Sequence, residues 1–238
     1  MDAPRLDVVA DAEALTSETV ARVIDACHHA VATRGRFVVA LAGGRTPLAA
    51  YRRLAERHDL PWERVLVTWG DERMVERDHP DRNERAAREA LLDHVAIPPD
   101  QVLGWPDGDT PEAVAAAHAE RLRATLGDPP WFDLVLLGLG EDAHTASLFP
   151  GTGAAEATAL TTVVRSQAHG VRLSLSASAL SRAGLVLVLV SGADKHEALT
   201  RTLAGAGSAD ELPLTALRPE GEFVVLADAA AAGDLADA

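Results

Sequence analysis

Short, continuously apolar runs separated by longer segments with a helical repeat constrain this chain more than any other feature. LDVVA (6–10), RFVVAL (36–41), RVLVTW (64–69), FDLVLLGLG (132–140) and GLVLVLVSG (184–192) are rich in Val and Leu and read as strands buried on both faces. Between them, segments 13–33, 47–57, 82–94 and 111–126 carry apolar residues three and four apart, the spacing of amphipathic helices. Strand and helix in alternation imply a doubly wound, Rossmann-like α/β fold, its mostly parallel sheet covered by helices on both faces. Two further runs, TTVVRS near 161 and VRLSL near 171, follow each other with no helix between, which predicts an antiparallel edge or a small subsidiary sheet. The Ala- and Gly-rich stretches at 151–159 and 203–209 read as loops, and the tail after 228 as frayed. At 238 residues the chain reads as one domain.

Composition narrows the partners. Acidic residues outnumber basic ones 36 to 22, a net charge of −14 that repels nucleic acid and anionic lipid surfaces. No apolar stretch reaches the roughly 18 to 20 residues of a membrane-spanning helix, and MDAPRLDVVADAEAL lacks the basic start and apolar core of a secretory signal. The expectation is a soluble, cytoplasmic protein that binds a small molecule, with no nucleic-acid or membrane partner. The single cysteine, Cys27, falls on the apolar stripe Val20, Val23, Ile24, Cys27, Val31, which assigns it to packing. Lys195 is the only lysine among 22 basic residues, so it is a candidate for chemistry. The histidines show neither H-E-x-x-H nor a Cys/His zinc spacing, and no metal site is expected.

In a doubly wound fold, ligands bind beyond the carboxyl ends of the strands, and four such loops carry polar chemistry. In Ala42-Gly43-Gly44-Arg45-Thr46-Pro47, Thr46 suits a helix N-cap and Pro47 the first helical position. Glycines turn backbone N–H groups inward there and the helix start adds partial positive charge, a setting for phosphate; an ordinary tight turn is the alternative. Its spacing matches neither the P-loop nor the dinucleotide fingerprint. Gly70-Asp71-Glu72-Arg73 places a charged triplet at the solvent-facing end of a strand, with Arg73 as an anion clamp or an Asp–Arg ion pair ordering the loop. Gly138 to Pro150 sets Asp142 two residues before His144, a pair able to hold an imidazole as a base. The other eight histidines, including His118 and His169, read as surface or helix-face residues. Ser191-Gly192-Ala193-Asp194-Lys195 brings the lone lysine to the same mouth, for phosphate contact or solvation.

Together, AGGRTP, GDER followed by HPDRN, GLGEDAHTASLFPG and SGADK resemble, in order and spacing over roughly 36–217, the 6-phosphogluconolactonase family. GDER with the downstream Asn83, and HTASLFPG, are the specific parts; AGGRTP and SGADK are shared with glucosamine-6-phosphate deaminases. Ala143 stands where the family often has glycine, which restricts the backbone if positive φ is needed, and Arg82 stands where serine is frequent. The resemblance implies hydrolysis of 6-phospho-D-glucono-1,5-lactone to 6-phosphogluconate, the second step of the oxidative pentose phosphate pathway, without metal or organic cofactor. It implies that His144 deprotonates the attacking water and Asp142 orients the imidazole. Gly43, Gly44, Arg45, Thr46, Arg73 and Lys195 then hold phosphate and hydroxyls, with Asp71, Asn83 and Arg172 as further binding residues. An amino-sugar-phosphate deaminase or isomerase calls for a second carboxylate shortly after the histidine, where this chain has Thr-Ala-Ser-Leu-Phe-Pro. A non-catalytic sugar-phosphate sensor normally carries a DNA-binding segment, and no basic helix-turn-helix candidate occurs.

Overall fold

The structure is a computed structural model and describes residues 4–237. Strands β1 (Arg5–Val9), β2 (Phe37–Leu41), β3 (Val65–Trp69), β5 (Phe132–Gly138), β8 (Ala183–Val190) and β9 (Glu222–Asp228) form a parallel sheet in the order β1-β9-β8-β5-β2-β3. Strands β4 (Asp71–Arg73), β6 (Thr161–Ser166) and β7 (Gly170–Leu175) form an antiparallel sheet in the order β4-β7-β6. The expected α/β fold with a subsidiary antiparallel sheet is present.

The helices follow the apolar periodicity. Helix α1 (Ala12–Arg34) starts at Asp11, whose side chain accepts the Ala14 N–H, and stops at Gly35 in the left-handed region, φ 75°. It runs across β2, β5, β8 and β9 and buries Leu15, Val23 and Cys27. Burial pushes the Cys27 thiol up to about 12, in keeping with packing. The remaining helices are α2 (Arg45–Ala55), α3 (Asn83–Ala90), α4 (Pro111–Leu126), α5 (Ala177–Leu180), α6 (His196–Leu203) and α7 (Ala229–Ala232). One apolar cluster runs from Leu15 through Leu136 and Val188 to Leu173 and Leu175 of the small sheet. Among the described residues, no helix is long and apolar enough to cross a membrane.

One strand lies outside the expected set, and two expectations need correction. Residues 222–228 form β9, paired in parallel with both β1 and β8. The tail beyond 228 is helical, with Ala231 and Ala232 buried and Asp228 accepting the Ala231 N–H at 2.8 Å, because the Asp-Ala-Ala run is capped rather than frayed. GDER is not an open, solvent-facing loop. At Gly70 the chain leaves the parallel sheet, donating to Leu41 O at 3.0 Å and accepting from Leu175 N at 2.8 Å. Asp71–Arg73 then pairs with β7, and Glu72 is only 1% exposed.

His118, expected on a helix surface, is fully buried. Its ring stacks on Trp105 with centroids 4.0 Å apart. The Thr68 hydroxyl donates to Leu103 O and lies 3.3 Å from His118 Nε2, so the imidazole presents an N–H there. Burial, and secondarily Arg121, hold its pKa down to about 3. An unfolded imidazole takes up a proton near 6.5, whereas the folded one refuses it until about 3, so stability is lost as pH falls through that window. Urea unfolding should show this component as a loss of about 3 kcal/mol between pH 6.5 and 4. His118→Phe, which keeps the stack, should lack it; parallel pH profiles for the two proteins would refute the assignment.

Candidate active site

The carboxyl ends of β2 and β5 are neighbours, but β3 lies beyond one and β8 beyond the other, which makes the crevice between them a topological switch point. A cavity of about 480 Å³ opens there, lined by residues of all four strand-end loops. A larger groove of about 830 Å³ lies at the amino ends of β1 and β9. It is lined by no histidine or lysine and by Arg5, Arg218 and Glu222 as its charged groups, whereas the smaller cavity gathers Arg45, Asp71, Arg73, His144, Asp194 and Lys195.

One wall is the start of α2. Its N-cap is Gly44, φ 100°, with no side-chain cap, so the helix begins before the expected Thr46. Glycine alone takes this backbone conformation freely, and the uncapped first turn leaves N–H groups without intrahelical acceptors at Arg45 and Thr46, two residues that line the cavity. Pro47 sits in the same turn, where a missing N–H costs no intrahelical bond. Gly43 is required for a different reason: a methyl group there would overlap the side chain of Asn83.

Asn83 opens α3 and joins this wall to the next. Its Oδ1 accepts from Arg73 Nη1 at 2.9 Å and its Nδ2 donates to Asp71 O at 3.0 Å. It is placed by Glu72, which accepts the N–H of Arg73 at 2.8 Å, of Asn83 at 2.7 Å and of Glu84 at 2.9 Å. Glu72 thus caps α3 from a different sheet. Burial pushes its carboxyl up to about 7, against the pull of those three donors. The Asp71–Arg73 ion pair weighed from the sequence is replaced by another contact: the Ser147 hydroxyl donates to Asp71 at 2.6 Å. Burial raises the Asp71 pKa, opposed by Ser147, Arg73 and His144.

The third wall is the loop after β5. Asp142 Oδ1 lies 2.5 Å from His144 Nδ1 and accepts the His144 backbone N–H at 3.1 Å. An ionised Asp142 requires a donor at Nδ1, which leaves the lone pair on Nε2. Partial burial works to raise the Asp142 carboxyl, but the adjoining His144 and its two hydrogen bonds, with His169 farther off, bring it below its ordinary value. A side chain at Gly140 would collide with both His144 and Asp142. Ala143 at φ 71° and Ala146 at φ 48° both lie in the left-handed region, so the alanine at the family's glycine position does occupy the strained conformation.

Lys195 completes the cavity, its Nζ 3.4 Å from Glu141 and 3.3 Å from Asp194. The loop before it is anchored by Asp228, buried at the end of β9, which accepts from the Ser191 hydroxyl at 2.5 Å and from Gly192 N at 3.2 Å. Sequence reading missed Asp228, although an aspartate before four alanines carries an N-cap signal. Gly43, Gly44, Arg45, Thr46, Asp71, Arg73, Asn83, His144 and Lys195 all line the one cavity. Asp142 lies outside the lining against His144, and Arg172 outside it opposite Arg73 in the β4–β7 register. Burial and then Arg73 lower the Arg172 pKa. His169, read as a surface residue, stacks on Phe149 beside His144; no local spacing announces that contact. Among the described residues, no three His, Cys, Asp or Glu side chains are grouped so as to hold a metal ion.

Residues 10–226 match the family model described as glucosamine-6-phosphate isomerases/6-phosphogluconolactonase. The chain is 39% identical to the 6-phosphogluconolactonase of Nostoc sp. over 237 residues, covering 97% of this chain and 98% of that one. Among solved structures, the 6-phosphogluconolactonase of Trypanosoma brucei superposes with a TM-score of 0.84 at 29% identity, covering 98% of each chain. A monomeric glucosamine-6-phosphate deaminase superposes nearly as well, TM-score 0.83, at 23% identity over 96% of this chain and 98% of its own. That last likeness speaks for the fold alone.

Glu72 ties the walls together and should behave accordingly. Glu72→Ala leaves three N–H groups without their acceptor and should lower the unfolding free energy by about 3 to 5 kcal/mol. Glu72→Gln, which keeps one acceptor oxygen, should cost roughly 1 to 2 kcal/mol. Urea titration at pH 7 measures both, and an alanine variant within about 0.5 kcal/mol of wild type would remove Glu72 from this role.

Proposed function

The chain belongs to the glucosamine-6-phosphate isomerase/6-phosphogluconolactonase family, and we infer that it is a 6-phosphogluconolactonase that hydrolyses 6-phospho-D-glucono-1,5-lactone to 6-phospho-D-gluconate, the second step of the oxidative pentose phosphate pathway. The observation that carries the mechanism is the Asp142–His144 pair, 2.5 Å between Oδ1 and Nδ1, beside the cavity that the uncapped start of α2 also lines. His144 Nε2 takes a proton from water as the water oxygen attacks the lactone carbonyl. Asp142 holds the ring and stabilises the imidazolium. The same proton passes to the ring oxygen as the acyl C–O bond breaks, leaving a carboxylic acid and a free hydroxyl. A sugar lactone is a reactive ester, so positioning and one general base supply the needed acceleration. This scheme assigns no metal or organic cofactor.

The phosphate is held by the first-turn N–H groups at Gly44, Arg45 and Thr46, with Lys195 exchanging its exposed carboxylate partners for the phosphate oxygens. Arg73, Asn83 and Asp71 face the substrate hydroxyls, and Arg172 reinforces the positive potential from beyond Arg73. Thr145-Ala146-Ser147-Leu148 after His144 contains no carboxylate, which disfavours the deaminase chemistry found on the same fold. Residues 1–238 act as one lactonase unit in the cytoplasm, and the net charge of −14 supports a small anionic substrate gathered by local cations rather than a nucleic acid or membrane.

His144→Ala should lower kcat by about 10² to 10⁴ with KM nearly unchanged, since the phosphate contacts persist. The assay follows lactone loss after subtraction of the spontaneous reaction, and a folded variant with wild-type kcat would eliminate His144 as the base. Lys195→Ala should raise KM about tenfold to a hundredfold, and gluconolactone without phosphate should be a poor substrate. Unchanged KM and kcat/KM would return Lys195 to the role of a solvated side chain.

A further inference from the structure

Two imidazoles face the carboxylate of Asp142. Oδ1 is occupied by the side chain and backbone N–H of His144. Oδ2 lies 3.7 Å from Nε2 of His169, which sits in the turn between β6 and β7. The His169 ring lies flat on Phe149, centroids 4.2 Å apart and planes within 6° of parallel. Phe149 is itself buried and meets the His144 ring at 4.8 Å. The hairpin turn therefore packs on the histidine loop through the phenyl ring and sets an imidazole nitrogen near the outer oxygen of its carboxylate.

This arrangement answers a mechanical need. The Asp142 side chain is 45% exposed, and a carboxylate gripped by one oxygen can rotate about its Cβ–Cγ bond and trade its partner for water. An imidazole nitrogen 3.7 Å from the second oxygen, within ion-pair range though beyond direct hydrogen-bond reach, opposes that rotation by electrostatic attraction, and the stack on Phe149 fixes its ring before any substrate arrives. His169 is absent from the cavity lining, so it acts on the reaction through its neighbours: its polar contact is with Asp142, and its packing contact is with Phe149 beside the His144 ring.

We propose that His169 is a positioning residue for the Asp142–His144 base: it restrains Asp142 through its outer oxygen and so keeps His144 Nε2 aimed into the cavity. The proposal rests on His144 being the base. It assigns a kinetic role to a residue in the β6–β7 turn, far along the chain from the histidine loop.

Three variants test it. His169→Phe keeps a ring on Phe149 and removes the donor; it should lower kcat about threefold to tenfold, the scale of one modest polar contact, with KM within about twofold. His169→Gln restores an N–H at similar reach and should recover kcat towards wild type. In an Asp142→Ala background, His169→Phe should cause no further loss, because no carboxylate remains to be restrained. Wild-type kcat in His169→Phe would overturn the proposal, as would an equal fractional loss in the Asp142→Ala background or a rise in KM at constant kcat. His169→Ala serves as the test if the phenylalanine variant does not fold, with the same expected split. His144→Ala separates the two readings. Retained activity there sinks the base itself, whereas lost activity there with a silent His169→Phe sinks only the role of His169.

Discussion

The carboxylate of Glu72 accepts backbone N–H groups at both ends of an excursion from β4 to α3, and the geometry of the cleft descends from that grip. Because Asn83 and Glu84 are held at their backbones, the Asn83 side chain is presented to Gly43 on one side and to Arg73 on the other. The first turn of α2, which follows β2 of the large sheet, and the arginine of β4 in the small sheet are thereby set at a fixed spacing. Buried at 1% exposure, Glu72 lacks water to replace any partner it loses, which makes the arrangement nearly all-or-none. Arg82 lies 4.0 Å from the same carboxylate and is itself pinned by the carbonyls of Val75 and Trp105, so the neighbouring charge is also immobile.

The histidine loop is rigid for a complementary reason. Gly140 permits the Asp142 and His144 side chains to fold back over the backbone; Ala143 is held at positive φ by burial and by the hydrogen bonds between Gly140 and residues 143 and 144, and Ala146 lies inside the turn that Leu148 N closes onto Thr145 O. Conformations of this kind cost about 1 to 3 kcal/mol each and persist where surrounding contacts over-determine them. The strain is spent on holding an imidazole in one orientation, the quantity that general-base catalysis depends on.

A chain of net charge −14 nevertheless sets Arg73 and Arg172 opposite each other across β4 and β7 and places Lys195 and Arg45 on the same cavity. Burial first, and then the like charge of Arg73, lower the Arg172 pKa, so this pair of arginines works against folding rather than for it. The fold does not choose the reaction, since a deaminase shares it closely. Function is set by the site that the strand-end loops build on the fold, and in this chain Thr145-Ala146-Ser147-Leu148 after His144 carries no carboxylate.

The sequence by itself was sufficient for five of the six parallel strands, helices α1 to α4, the four loops and the Asp142–His144 pair. These are local: burial on both faces writes itself as an unbroken apolar run, and an aspartate two residues before a histidine meets it through the turn they share. The glycine-led start of α2 was legible although its first residue was misplaced, since two glycines before a helix mark such a turn. Strand β9 was written in the same apolar code and went unread. The burial of Glu72 and His118, the anchoring of Ser191 by Asp228 thirty-seven positions away, and the approach of His169 to Asp142 belong to another class. Each depends on which strands pair and in what register, a choice made by the packing of the whole core, and so only the tertiary structure decided them.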